Sequence, residues 1–362
     1  MEKNHRTITF FYSDNVEKQT AEPIAKEALR RGYKVRFTDV LQEEADIGFY
    51  CQHLCFPENS NFSLVMLHDL GQGHNRWPDI WETEPWDQFD VGILPGKDWK
   101  QRWLSVCDRV HTRPRRGVFE LGWPKADVLL SKNNTTAKQL GKDLKLCHPI
   151  SILYAPSWEN HGKQDEFVQA LKDLPVNLLL KQAPWSDAYI EIKNNISEMN
   201  LLHRNYKDNI HVIDPDINIF DCLALTDVIV SDESSVLIEA LLLNIPSVAV
   251  TDWLIPDYDP PRHASVPFDF VNKTTRQTLQ ETVVRIIEDL ETYRSEVSGI
   301  QTEIFTYLGE SSIKIMDVVD HFVVNKTISI SAIEPGKEIR ALSKKEQLSR
   351  MSRKLRIDAM VN

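Results

Sequence analysis

Short apolar runs alternate with segments of helical length along the first third of the chain. The runs predict strands at Thr7–Phe11, Val35–Thr38, Ile47–Tyr50, Leu64–Leu67, Val91–Leu94 and Val118–Leu121. Between the first two, helical spacing from Val16 to Arg31 stops at Gly32, a residue typical of helix C-termini. Strands interleaved with helices form a parallel sheet, so this part is predicted to be an α/β domain that closes near Leu130.

The pattern starts again after a polar, basic connector at residues 131–149. Strands are predicted at Ser151–Tyr154, Asn177–Lys181, Ile210–Ile213, Val228–Val230 and Ser247–Val250, followed by helices at Thr275–Leu290, Ser295–Leu308 and Ile313–Val323. We therefore predict an α/β protein with two Rossmann-like domains, residues 1–148 and 149–325, that face a central cleft where a ligand binds.

The last 37 residues, 326–362, are predicted to form a separate basic tail. From Lys337 to Arg356 eight basic residues are opposed by two acidic ones, and apolar side chains make a rough stripe. Such a helix can lie on an anionic membrane surface. The alternative interpretation is a solvated helix that packs on the body of the protein, or a frayed terminus.

Composition narrows the class of protein. The 362 residues are 42% apolar and 26% charged, which is typical of a globular protein of about two domains, and the net charge of −11 gives no reason to expect nucleic-acid binding. The five cysteines are irregularly spaced, and the first residues lack the apolar stretch of a signal peptide. We expect a cytoplasmic setting, no metal site and no resident cofactor.

The segment from Asp227 to Val250, DVIVSDESSVLIEALLLNIPSVAV, has the strongest functional pattern. It predicts a strand, a turn, a helix and a second strand, and its turn contains Ser231, Asp232, Ser234 and Ser235. Free N–H groups and the positive end of the helix dipole favour a phosphate at such a turn. The alternative interpretation is that the serines only cap the helix.

Polar residues that follow other predicted strands supply further candidates. His68, after Leu64–Leu67, is the candidate general base, and Asp69 or another carboxylate is expected to fix its tautomer. The alternative is a hydrogen-bonded structural histidine. Ser157 is a candidate phosphate ligand. Trp158 either lines the site of the phosphate-containing substrate or packs in the core. Lys181 is expected to place positive charge near the phosphates.

Four stretches together resemble the CDP-glycerol glycerophosphotransferase family, which builds teichoic acids and related capsule polymers. They are LHDLGQG at its WHGTP-type motif, LGWPKADVLL at its GYPRNDVLL-type segment, LYAPSWENHG at its YAPTW-type loop, and the serine-rich Asp214–Val250 stretch. The resemblance implies a GT-B fold of two Rossmann-like domains, with a CDP-linked alditol such as CDP-glycerol as donor substrate. It also implies that Glu239, one turn into the serine-rich helix, accepts hydrogen bonds from the nucleotide ribose.

One departure from the family pattern lies in the second domain. The family has a Lys/Arg-x-His-Pro stretch where this chain has Lys181-Gln182-Ala183-Pro184, so the histidine is absent. The expected function is transfer of glycerol phosphate or a related alditol phosphate to a glycan, glycolipid or polyol-phosphate acceptor, with release of CMP at the inner face of the cell membrane. The alternatives are a nucleotide-sugar glycosyltransferase or epimerase on the same scaffold, and a non-catalytic binding protein.

Overall fold

A computed structural model describes residues 6–51, 55–68, 70–71, 86–129, 135–185, 187–257, 259–348 and 350–352. Contacts divide the chain into two units. Unit 1 contains Met1–Leu130 and Glu303–Asn362, and unit 2 contains Ser131–Thr302. The predicted boundaries at residues 148 and 325 therefore differ from the observed ones, because the C-terminal 60 residues return to the first unit.

Unit 1 is built on a parallel sheet whose strands have the order β2-β1-β3-β4-β5-β6. The strands are β1 (Thr7–Phe11), β2 (Lys34–Thr38), β3 (Ala45–Tyr50), β4 (Ser60–Val65), β5 (Val91–Leu94) and β6 (Val118–Glu120). The helices are α1 (Asn15–Arg30), α2 (Lys97–Val106) and α3 (Pro124–Leu129), with 3-10 turns at Pro57–Asn59, Trp86–Gln88 and Val110–Thr112. All six predicted strands are confirmed in position to within a few residues.

Unit 2 contains a second parallel sheet, of order β14-β11-β10-β7-β8-β9. Its strands are β7 (Ser151–Tyr154), β8 (Asn177–Lys181), β9 (Ile210–Ile213), β10 (Val228–Ser231), β11 (Ser247–Val250) and β14 (Asn272–Thr274), and β12 (Leu254–Ile255) and β13 (Arg262–His263) form an antiparallel ribbon. The helices are α4 (Thr135–Leu144), α5 (Lys163–Leu171), α6 (Ile190–His203), α7 (Ile219–Leu223), α8 (Val236–Glu239), α9 (Leu279–Glu288) and α10 (Leu290–Ile304), with 3-10 turns at Ala240–Leu243 and Arg276–Thr278.

Burial explains why these apolar runs form strands. Every residue of β7, β8, β10 and β11 is buried. Strands of a parallel sheet covered on both faces read as continuous rather than alternating apolar runs. The fold class of two Rossmann-like α/β units is therefore confirmed. The sequence pattern missed β14, since its residues Asn272–Thr274 are mostly polar and it is recognisable only through its pairing with β11.

Helix α11 (Ser311–Val324) belongs to unit 1 because it packs on α1 around a buried charge cluster. Arg31, at the end of α1, donates to Asp317 at 2.9 Å and to Asp320 at 3.0 Å. Asp320 is 1% exposed and also accepts the hydroxyl of Tyr33 at 2.7 Å. The periodicity of the sequence gives no information about such long-range ion pairs. The helix was therefore predicted to belong to the second domain because it follows that domain in the chain.

The segment that follows α11 also lies on unit 1. The Ile333 N–H donates to the Val118 carbonyl of β6, and Arg340 forms ion pairs with Asp108 and Glu346. Over the described part of the predicted tail, Arg340 and Arg350 attach the segment to unit 1 through ion pairs with Asp108 and Asp87, as in the alternative interpretation in which it packs on the body of the protein. Within the described ranges, no helix is long and apolar enough to cross a bilayer.

We predict that Asp320→Ala lowers the free energy of unfolding by about 3 kcal/mol, because it leaves the buried Arg31 guanidinium and Tyr33 hydroxyl short of an acceptor. Denaturant unfolding measures the effect. The matched control is Asp317→Ala, whose side chain is 20% exposed, and its expected cost is about 1 kcal/mol or less. Equal losses in the two variants would contradict the structural role assigned to Asp320.

Candidate functional site

The strand order of unit 2 reverses between β7 and β10. From β7 the chain proceeds outward through β8 and β9, then crosses to the other side of β7 to form β10, β11 and β14. In open parallel sheets, ligands bind beyond the carboxyl ends of the two strands at such a switch point. The loop after β7 contains Ser157 and Trp158, and the turn after β10 contains Asp232, Ser234 and Ser235, so both predicted segments lie there.

A single buried carboxylate holds these two segments together. Asp232 accepts the backbone N–H of Ser157 at 2.8 Å, that of Trp158 at 3.4 Å and that of Glu233 at 2.7 Å. The ammonium of Lys163, at the start of α5, donates to Asp232 Oδ2 at 2.9 Å. Both oxygens are engaged and the residue is fully buried. Asp232 therefore orients the loop after β7.

The charge state of Asp232 follows from this environment. Burial by itself raises the pKa of a carboxyl group, but the Lys163 ammonium and the N–H groups of Ser157 and Glu233 outweigh it and hold the pKa of Asp232 below its ordinary value. The carboxylate is therefore ionised throughout the neutral range. Since Lys163 is also almost fully buried, the two charges compensate each other inside the protein.

The predicted serines divide into two groups. Ser231 is buried in β10, where its hydroxyl donates to the Ala155 carbonyl at 2.6 Å, so it joins the two segments and does not face a ligand. Ser234 and Ser235 are half-buried at the start of α8. The helix continues as a 3-10 turn and ends at Asn244, which adopts a left-handed conformation with φ of 57°.

The loop after β7 presents an unsatisfied hydroxyl beside the two serines of the turn. Ser157 Oγ is buried and has no hydrogen-bond partner in the part of the chain that the structure describes. A buried polar atom without a partner is rare in folded proteins, because desolvation is then uncompensated. Its position after a switch-point strand makes it a candidate ligand contact.

Trp158 lies in an aromatic cluster that sequence inspection did not identify. Its ring centroid is 4.5 Å from that of Trp185, which in turn is 4.8 Å from that of Tyr189. Trp158 and Trp185 are half-buried, and Tyr189 is 47% exposed. The available signal was the Ala183-Pro184-Trp185 turn directly after a predicted strand, since the carboxyl ends of neighbouring parallel strands meet at one edge.

Two other predicted ligands are occupied or enclosed. Lys181 is 4% exposed and donates to the carbonyls of Gln182 at 2.8 Å and Pro215 at 2.6 Å. Burial lowers the pKa of its ammonium to about 8. The lysine thus ties the end of β8 to the loop after β9, which corrects the expectation that it faces the phosphates. Glu239, which was expected to bind the nucleotide ribose, lies within α8 and is 3% exposed. Its side chain is therefore largely enclosed by the protein.

The candidate base lies at the corresponding switch point of unit 1, between β1 and β3. His68 Nδ1 is 2.9 Å from the Cys51 carbonyl, which follows β3, and 3.6 Å from the Glu17 carboxylate at the start of α1. Because a carbonyl oxygen only accepts, Nδ1 carries the proton and Nε2 has the lone pair that a general base requires. Asp69 lies outside the described residues. The other carboxylate that was expected as an alternative is Glu17, 3.6 Å from Nδ1, while the Cys51 carbonyl makes the hydrogen bond.

Among the described residues, no group of three or more His, Cys, Asp or Glu side chains is placed to bind a metal ion. The loop after β7 and the turn after β10 present hydroxyls, backbone N–H groups and aromatic rings. These groups can bind a phosphate ester and a planar ring by hydrogen bonding and stacking.

We predict that Asp232→Asn costs about 3–5 kcal/mol of stability at pH 7, because it leaves the Lys163 ammonium buried without a counter-charge. The folded-state pKa lies below the unfolded value of about 4, so the stabilisation is complete above that value and is lost as pH falls through the folded pKa. Urea unfolding from pH 7 to 3 should therefore show a constant gap between the two proteins down to about pH 4 and a narrowing gap below it.

The exposed Asp173, paired with Lys207 at the surface, provides the control for this prediction. Asp173→Asn should leave the unfolding midpoint almost unchanged at every pH, because water screens an exposed pair. A stability gap for Asp232→Asn that is as large at pH 3 as at pH 7 would show that the charge is not its origin.

Several solved structures share the fold. The wall teichoic acid polymerase TagF aligns with a TM-score of 0.62 and 14% identity over 90% of this chain and 90% of that chain. A TagF variant soaked with CDPG has a TM-score of 0.60 and 14% identity, over 90% of this chain and 91% of that chain. The S. aureus MnaA-UDP co-structure has a TM-score of 0.62 and 12% identity, over 91% of this chain and 100% of that chain. At such identities the likeness concerns the fold. No curated protein is significantly similar to the chain in sequence.

The family is established by the sequence between β5 and the end of α11. Residues 100–321, more than half of the chain, match the model of the family described as CDP-Glycerol:Poly(glycerophosphate) glycerophosphotransferase. The range contains the loop after β7 and the turn after β10, whereas His68 precedes it. The resemblance seen in the sequence motifs is confirmed over this range, and the chain belongs to the CDP-glycerol:poly(glycerophosphate) glycerophosphotransferase family of transferases.

Proposed function

We propose that the protein transfers glycerol phosphate, or a related alditol phosphate, from a CDP-linked donor to a polyol-phosphate or glycan acceptor in cell-surface polymer synthesis. The observation that best supports this proposal is the arrangement at the switch point of unit 2. There, the loop with the unpartnered Ser157 hydroxyl is hydrogen-bonded to Asp232, and the half-buried Ser234 and Ser235 follow Asp232 in the turn. Hydroxyl and N–H donors in this position can bind the oxygens of a diphosphate, and the buried Lys163 ammonium compensates the charge of the nearby carboxylate.

The donor assignment rests on family membership and on similar proteins. The family is described by its transfer of glycerophosphate from CDP-glycerol. The similar polymerase TagF was solved after a soak with CDPG. A CDP-linked alditol is therefore the first donor class to test, ahead of the UDP-linked compounds suggested by the more remote MnaA likeness.

In the proposed reaction, His68 Nε2 takes the proton from an acceptor hydroxyl. The hydroxyl oxygen attacks the β-phosphorus of the donor, and the bond from that phosphorus to the bridging oxygen breaks to release CMP. The serine hydroxyls and the N–H groups of the turn after β10 stabilise the negative charge that grows on the phosphate oxygens. The Cys51 carbonyl contributes by keeping Nδ1 protonated, so that Nε2 stays available as the base.

The acceptor is proposed to reside at a membrane surface. On the segment after α11, Lys344 and Lys345 are exposed, and so are the apolar side chains Leu348 and Met351 at 62% and 63%. Exposed lysines beside exposed apolar side chains suit an anionic lipid surface. Co-sedimentation with anionic liposomes, compared for the protein and its Leu348→Glu/Met351→Glu variant, tests this placement; equal sedimentation would remove it.

The proposed reaction is tested by incubating the protein with a panel of CDP-alditols and glycan or polyol-phosphate acceptors and measuring CMP release. We expect acceptor-dependent CMP release, and a loss of about a hundredfold in the Ser234→Ala/Ser235→Ala variant, because its phosphate donors are gone. Ser231→Ala serves as a control for hydroxyl loss within the core. Release of UMP from UDP-linked compounds, with none of CMP, would reject the donor assignment.

The base is tested separately. His68→Ala should lower turnover by about a hundredfold or more while the fold and donor binding stay intact, because only the proton transfer is lost. His68→Gln is the matched variant that preserves a hydrogen bond to the Cys51 carbonyl without a basic lone pair, and it should be equally slow. A near-normal rate in either variant would exclude His68 as the base.

A further inference from the structure

The aromatic cluster of Trp158, Trp185 and Tyr189 brings together three segments of unit 2. Trp158 comes from the loop after β7, Trp185 from the turn after β8, and Tyr189 from the residue that caps α6. The Trp185 N–H donates to the Ala183 carbonyl at 3.0 Å, a tight turn that brings its indole against that of Trp158. The rings are not sealed in the core: Tyr189 is 47% exposed, and the other two are half-buried.

Two buried polar groups without partners flank Trp158 in sequence. Ser157 precedes it, and neither the Nδ2 nor the Oδ1 atom of Asn160 has a hydrogen-bond partner among the described residues. Asn160 is 6% exposed. An amide that is buried with both its donor and its acceptor unpaired is costly, and the cost is removed when a polar ligand or water binds.

The chemistry of this loop differs from that of the serine turn. It combines aromatic faces with neutral donors and acceptors, which fits a ligand with a planar ring and hydrogen-bonding edges. A phosphate group has no planar face for an indole to contact, whereas a nucleobase with its ribose offers a face, an edge and hydroxyls. The loop also shares the Asp232 anchor with the turn, so a nucleoside and its phosphates can be held by one rigid unit.

We propose that the aromatic cluster, with the Asn160 amide, is the seat of the donor nucleoside, and that Trp185 is the principal stacking surface for its base. This inference rests on the proposed function for its donor, and it adds a binding element that the serine turn does not provide. Base binding and phosphate binding are then separable properties of two neighbouring segments.

Calorimetric titration of the full chain with CDP and with inorganic pyrophosphate tests this separation. In Trp185→Leu, the dissociation constant for CDP should rise by about tenfold or more, because the stacking contact is lost, and that for pyrophosphate should stay unchanged. Trp185→Phe keeps an aromatic face and should restore CDP binding to within about threefold of the wild type. Tyr189→Leu provides an independent variant with the same selective loss expected.

The matched control is Tyr206→Leu, which removes a 42% exposed tyrosine of the same unit that lies outside the cluster, and CDP binding should be unaffected. Circular dichroism and thermal unfolding verify that each variant is folded. If the wild-type protein binds CDP but Trp185→Leu and Tyr189→Leu bind it equally well, or lose CDP and pyrophosphate in parallel, the nucleoside seat is wrong and the proposed function stands. If the wild-type protein binds no nucleotide, both are overturned.

Discussion

The candidate site of unit 2 depends on one buried carboxylate. Asp232 is inaccessible to water, yet it stays ionised because a lysine and three backbone N–H groups surround it. The cost of burying two charges is offset when the pair is close and well hydrogen-bonded. Here Asp232 accepts from all four of these groups, and Lys163 also donates to the Trp158 carbonyl at 2.9 Å. As a result, one side chain joins the loop after β7, the turn after β10 and the start of α5.

Unit 1 positions its candidate base by the same physical means. The backbone at the carboxyl end of one strand fixes a side chain that follows another: the Cys51 carbonyl determines which nitrogen of His68 carries the proton. In both units the candidate side chains lie beyond the carboxyl ends of strands at or next to the point where the order of strands reverses, which is where open parallel sheets bind ligands.

Several residue types that suggested ligand contacts turned out to support the architecture instead. Asp232, Ser231 and Lys181 are buried and satisfied by internal partners. The groups left for a ligand are neutral: the Ser157 hydroxyl, the Asn160 amide and the half-exposed rings around Trp158.

Local pattern alone determined the fold class, most strand positions and the serine-rich turn, because the type of an element depends on side chains within a few residues of one another. Tertiary structure decided the rest. The polar strand β14 exists through its pairing with β11, and α11 returns to unit 1 through Arg31 and Asp320. Likewise, Lys163 lies 69 residues from the carboxylate it neutralises, and Trp185 meets Trp158 only after both strands have paired. Such contacts depend on which segments the sheet brings together, and no periodicity along the chain encodes that choice.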